Sequence, residues 1–162
     1  MPTPDYILEL RRAYGHGRLF LPGVSAVVVR EGAAEDGPEL LLTRRTDTGL
    51  WALPSGIVEP DEQPASTMER ELWEETRVVA RAERLVLVTV DPEQTYPNGD
   101  VCQFVSLTFR CRYLTGQAAV GDDESTEVAW FGVSSLPLEL DERQRRRIAC
   151  GLDDREASVF DR

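Results

Sequence analysis

The chain has 162 residues and no lysine, so all 18 of its basic side chains are arginine. That absence excludes chemistry built on an amine: a Schiff base, a phosphate-loop lysine or a kinase-type ATP-site lysine. A single histidine, His16, makes a poor case for a zinc site or a hydrolytic triad and suits a turn instead. Three cysteines, Cys102, Cys111 and Cys150, are odd in number and lack metal-type spacing. Cys102 and Cys111, in or beside a strand-like segment, read as small core side chains. No apolar run approaches the roughly 18 residues that cross a bilayer. The start, Met1 to Asp5, lacks the basic-then-apolar pattern of a secretory signal. A cytoplasmic location is therefore expected. Positive charge is also in the minority, with 29 Asp plus Glu and a formal net charge of −11. Gripping a nucleic-acid backbone needs a basic footprint, so neither nucleic acid nor membrane is an expected partner.

What remains, 41% hydrophobic and 29% charged residues, suits one globular domain spanning 1–162. Residues 5–14 place Ile7, Leu10 and Tyr14 at helical spacing, with Gly15 beyond. Residues 24–29 are dominated by β-branched side chains and read as a buried strand. After a polar turn at 32–38, residues 39–43 form a second strand that ends in Arg44-Arg45. Further strands are expected at 85–90, 101–109 and 127–133, with a turn-rich stretch at 91–100. A last helix is expected at 139–150, stopped by Gly151. Its run Arg143, Arg145, Arg146 and Arg147 reads as decoration of a helix C-terminus. Strands with few helices and no regular βα alternation indicate an α+β fold with a mixed sheet.

Residues 51–78 hold the chemistry. Residues 51–62 are loop-like, punctuated by Pro54, Gly56 and Pro60. A helix over about 63–76 follows, with Pro64 suited to its first turn and a core stripe of Ala65, Met68, Leu72 and Thr76. Beside that stripe, Glu71, Glu74 and Glu75 stand at i, i+3 and i+4, where side chains share a face and like charges repel. Read alone, Glu-x-x-Glu-Glu is most often a solvated helix face. The alternative is a site for a hard divalent cation, which takes oxygen ligands and retains waters. Glu59 and Glu62 would join it if the preceding loop folds back, and Arg70 could orient Glu74.

The wider spacing decides between these. Gly56, five residues, Glu62, seven residues, then Arg70-Glu71-Leu72-x-Glu74-Glu75 closely resembles the signature of the Nudix hydrolase family. Chance would produce it in roughly one chain in ten thousand or fewer. Trp51-x-Leu53-Pro54 and Glu59 resemble the family's lead-in, and the likeness extends from about 24 to 137. The resemblance implies an αβα sandwich around a mixed sheet and hydrolysis of a pyrophosphate bond with Mg²⁺ or Mn²⁺. The implied substrate is a nucleoside diphosphate derivative of the ADP-ribose or nucleotide-sugar type. Alternatives are a (d)NTP pyrophosphohydrolase releasing pyrophosphate and a non-catalytic nucleotide sensor of the same fold. Glu74 and Glu75 are implied as leading metal ligands, with Glu71 a further ligand or the base that activates water. Arg70 would hold a glutamate, and the Ser55 carbonyl would lie near the metal.

Outside the signature, Asp122, Asp123, Glu124 and Glu127 are candidates for an added acid, with Glu124 favoured by its distance before Trp130. Arg44 and Arg45 are candidates for substrate phosphate, since an arginine fork suits it, although either could pair with surface acids. Tyr96 could stack on a base or simply belong to the turn at 96–100. The spacings of Pro92 and Tyr96 resemble markers of two different substrate classes and cancel. Two departures from the pattern stand out: Arg77 where a glycine normally closes the signature, and Ser55 for the first of a glycine pair. A glycine there would suit a left-handed helix end, whereas Arg77 places positive charge at the negative pole of the helix. The N-terminal helix could dock on its own domain or on a partner, and a two-fold homodimer is the base-rate expectation.

Overall fold

The computed structural model describes residues 4–32, 37–96 and 98–161. Part of the turn expected at 32–38, residue 97 of the turn at 96–100, and the first three residues lie outside that set. The elements run α1 (Asp5–Tyr14), β1 (Leu19–Arg30), β2 (Glu39–Arg45), β3 (Trp51–Ala52), β4 (Ser55–Ile57) and α2 (Pro64–Thr76). They continue with β5 (Val79–Val90), β6 (Gln94–Thr95), β7 (Val101–Thr115), β8 (Ser125–Gly132), α3 (Glu142–Leu152) and β9 (Val159–Phe160).

The sheet is mixed and is organised about β1. Its main path is β3-β2-β1-β7-β5-β9, with β4 paired to β1, β6 to β7 and β8 to β2. β1 runs parallel to β7 and antiparallel to β2 and β4. Successive strand side chains face opposite ways, so β1 feeds two cores. Val24, Ala26 and Val28 pack with Met68 and Leu72 of α2 on one face. Val27 packs with Leu40, Leu42, Trp51 and Ile148 of α3 on the other. Helices on both faces explain why 24–29 reads as a continuous apolar run. This is the expected αβα sandwich.

Several boundaries differ from the sequence reading. β1 begins at Leu19 rather than at residue 24 and runs through Pro22 and Gly23; the Pro22 carbonyl accepts from the Val58 N–H at 3.0 Å. The loop-like 51–62 contains two short strands, β3 and β4, and the turn stretch 91–100 contains β6. The last helix starts later, because the Asp141 side chain caps it by accepting from the Gln144 N–H at 2.8 Å. Gly151 does not stop it. A Cβ there would lie 2.5 Å from the Val27 side chain, so that glycine lets helix and strand approach, and α3 continues to Leu152.

α1 docks on its own chain. Ile7 is buried, the Tyr6 hydroxyl donates to the Val58 carbonyl (3.1 Å), and Arg11 donates to the Val101 carbonyl (2.8 Å). Leu10 and Tyr14 of the predicted stripe are exposed. Among the described residues no helix is long and apolar enough to cross a membrane.

Candidate active site

α2 starts at Pro64 and buries Thr67, Met68, Leu72 and Thr76 against the sheet. Two glutamates are buried with them. Glu71 and Glu75 are 4% and 5% exposed, an unusual state for carboxylates, which lose hydration on burial. The Glu71 carboxyl is pushed up to about 7, first by burial and then by Glu74 and Glu124, against the pull of Arg70. The Glu75 carboxyl is raised well above its ordinary range by burial, then by Glu71, Glu124 and Asp122, while the Ser55 backbone N–H opposes the shift. β4 therefore turns an N–H of Ser55 toward Glu75. It also brings Gly56 against Glu71: a Cβ on Gly56 would lie 2.1 Å from the Glu71 carboxyl carbon.

Arg70 organises the other side of the helix. Its Nε and Nη2 donate to the two oxygens of Glu62, both at 2.8 Å. Its Nη1 donates to Glu74 at 3.1 Å and lies 3.2 Å from Glu71. Glu59 is more distant, at 3.9 Å. The loop does fold back on the helix, but it delivers Glu62 to Arg70, which holds the Glu62 carboxyl down at about 2 with help from the Thr67 hydroxyl. Glu74 and Glu75, being neighbours, point about 100° apart around the helix. Glu75 turns inward, whereas Glu74 borders a shallow cavity with Arg70, Arg77 and Asp122.

Glu124, exposed in the loop before β8, lines a cavity together with Glu71, and its charge helps raise both buried glutamates. Thr46 at the end of β2 anchors that loop, through its N–H to the Glu124 carbonyl and its hydroxyl to the Asp123 carbonyl, each 2.8 Å. The remaining candidate acid, Glu127, pairs with Arg44 at 2.6 Å. Arg45 grips Asp47 with two nitrogens (2.8 and 2.6 Å) and lines a cavity of about 650 Å³. Glu71 and Glu124 open instead into an adjoining cavity of about 400 Å³ beside α1. Gly56, Ile57, Tyr96 and Phe104 border both. Each volume is within the roughly 300–1,000 Å³ of small-molecule sites. Among the described residues no three His, Cys, Asp or Glu side chains are already gathered as a cation site.

A family model for the NUDIX domain matches residues 19–150. The chain belongs to the NUDIX domain family. A MutT-like protein of Streptomyces ambofaciens is 38% identical over 131 residues, 81% of this chain and 73% of that protein. An ADP-ribose pyrophosphatase of Methanocaldococcus jannaschii is 32% identical over 123 residues, 74% of this chain and 68% of that one. The MutT NUDIX hydrolase of Burkholderia pseudomallei, at 24% identity, superposes with a TM-score of 0.64 over 81% of this chain and 97% of its own, which shows the fold. The chain is thus a NUDIX hydrolase acting on anhydrides of nucleotide derivatives, and hydrolases of this family generally use divalent metals.

Three features around the candidate site carried no signal in the sequence. Thr46 is a lone hydroxyl after the arginine pair and carries no signal. Gly121 precedes the acidic string as an ordinary turn glycine. The third is a buried cluster on the wall of the larger cavity: Arg147 Nη2 donates to both Asp91 oxygens (2.9 and 2.7 Å), and the Ser106 hydroxyl donates to Asp91 at 2.5 Å. Arg147 was hidden in a basic run that reads as decoration of a helix C-terminus, whereas the run lies in the first half of α3, whose last turn has no basic residue.

Proposed function

We propose that this NUDIX protein hydrolyses the pyrophosphate linkage of a nucleoside diphosphate derivative, of the ADP-ribose or nucleotide-sugar type, in the cytoplasm with Mg²⁺ or Mn²⁺. The observation that carries the reading is a pair of buried carboxylates, Glu71 and Glu75, on one helix, with Glu71 sharing a cavity wall with Glu124. Glu71 and Glu75 repel and are starved of water, and Glu124 adds an exposed carboxylate to the same face, a donor set that suits a hard cation. Glu71, Glu75 and Glu124 would hold it, with Glu74 and the Ser55 carbonyl as further oxygens. When bound, the cation would neutralise phosphate charge and acidify a water.

The side chains have distinct tasks in this reading. Glu71, buried and facing the adjoining cavity, accepts the proton of the attacking water. Arg70 keeps Glu74 and the Glu62 loop in place, so that the acidic face does not spread. Arg45, on the wall of the larger cavity, and Arg44, beside it in β2, contact substrate phosphate once their acid partners yield. The 32% identical ADP-ribose pyrophosphatase supports this substrate class.

The test is a nucleotide panel incubated with Mg²⁺ or Mn²⁺, with products resolved by chromatography. Two monophosphates are expected from a diphosphate derivative. Chelation should abolish turnover, and Glu74→Gln and Glu75→Gln should each lower kcat by orders of magnitude. Release of pyrophosphate from a triphosphate would assign the (d)NTP reading instead. Tight nucleotide binding without any metal-stimulated cleavage would assign the sensor.

A further inference from the structure

Arg77 replaces the residue that the signature would make glycine, and the structure gives it a task. It ends α2 in the left-handed region (φ 59°, ψ 13°), with its N–H bonded to the Trp73 carbonyl at 2.9 Å. A side chain is disfavoured there. Its guanidinium stacks 4.7 Å from the centre of the Trp73 ring and donates to the Gly121 carbonyl at 2.5 Å. Gly121 in turn donates its N–H to the Glu75 carbonyl (2.9 Å), and Ala119 donates to the Thr76 carbonyl (3.0 Å). The loop thereby caps carbonyls that the end of a helix leaves without partners. It sits so close that a Cβ on Gly121 would lie 1.9 Å from the Glu74 carbonyl oxygen. The next three residues are Asp122, Asp123 and Glu124.

We propose that Arg77 and Gly121 are positioning residues that seat the acidic loop on the last turn of α2 and so fix Glu124 relative to Glu71 and Glu75. The geometry is direct. Glu75 offers its carbonyl to the loop and its carboxylate to the cluster, so one residue links docking to the site. Arg77 closes the seat from outside, and the same left-handed turn that aims its backbone away from the helix swings its fork over Gly121. Thr46 holds the far end of the loop, and Arg77, Gly121 and Ala119 bond its near end to α2. The inference rests on the proposed roles of Glu71, Glu75 and Glu124.

The experiment compares wild type, Arg77→Gly, Arg77→Lys and Gly121→Ala as full chains. Three quantities are read: thermal unfolding of the cation-free protein, Mn²⁺ uptake by titration calorimetry, and hydrogen exchange at the Ala119 and Gly121 amides. Arg77→Gly relieves the backbone and should not lower Tm, yet it should weaken Mn²⁺ about threefold to tenfold, the equivalent of one hydrogen bond. Its Gly121 amide should exchange faster by a similar factor. Arg77→Lys keeps the charge without the planar fork and should fall between. Gly121→Ala has to push the loop off backbone and should lose more in both readouts. Wild-type Mn²⁺ affinity and exchange in a folded Arg77→Gly protein would overturn the proposal, even if Gly121→Ala fails to fold. A wild type that takes up no Mn²⁺ would overturn the ligand roles. The seat itself would then stand or fall on exchange alone.

Discussion

Gly56 shows why the spacing of the signature is steric as well as chemical. The glycine is needed because the Glu71 carboxyl lies where a Cβ would be, 2.1 Å away. The obstructed atoms are the far end of a flexible side chain, so Gly56→Ala should fold with little change in Tm while displacing that carboxyl. A misplacement of about 1 Å can cost on the order of a hundredfold in rate, and kcat measured beside thermal unfolding checks the split. The relation between these residues was legible as a spacing, but its cause was not. Arg70 is the converse case. Helical periodicity pointed to Glu74, and that contact exists at 3.1 Å, yet the bidentate partner is Glu62, supplied by a loop whose return no local pattern encodes.

At the scale of elements, α3 is fastened to the sheet by the buried Arg147–Asp91 pair, whose side chains are 9% and 15% exposed. Removing one partner of such a pair leaves a charge without compensation, commonly at about 3–5 kcal/mol. Arg147→Ala should therefore shift urea unfolding strongly, and Arg147→Met with Asp91→Asn should recover part of the loss. Helix periodicity found α2 almost to the residue because its apolar stripe, first-turn proline and flanking turns agree. It misplaced α3 by two or three residues at the start and misread Gly151. There, tertiary contact with Val27 decided the role of the glycine, and such contacts are invisible along the chain. The short strands β3, β4 and β6 were missed for a related reason: two or three residues pair only because β1, β2 and β7 offer an edge.

Across the whole molecule, the net charge of −11 and the buried acids make folding sensitive to cations and to pH. A ligand bound only by the folded state stabilises it by about 2.7 kcal/mol at a hundred times Kd. Mn²⁺ should accordingly raise Tm by several degrees relative to NaCl of equal ionic strength, and Glu75→Gln should erase most of the rise. The acid limb is set in part by Glu62, held near 2 by Arg70. A carboxyl depressed in the folded state binds fewer protons there than in the unfolded chain. Its stabilisation is therefore complete above the ordinary carboxylate range of about 4.3 and vanishes as pH falls toward 2. Glu62→Gln should flatten the loss of stability across that window, measured by urea unfolding at fixed pH steps. The α+β class was readable from composition and periodicity, whereas helices on both faces of the sheet were implied only by the resemblance to the Nudix family. Strand order was not readable, because nothing local says that β1 takes β7 as its parallel neighbour.

That pairing has a kinetic consequence. Residues 19–29 of β1 match 102–112 of β7 one for one, so the central ladder closes only after more than eighty intervening positions have been made and brought round. Loop-closure entropy must be met before the contacts repay it, which slows such topologies. During translation, β1 should wait without its central partner until β7 clears the ribosome. Its apolar run is then exposed to chaperones or to aggregation for several seconds at ordinary elongation speeds of about 5–20 residues per second.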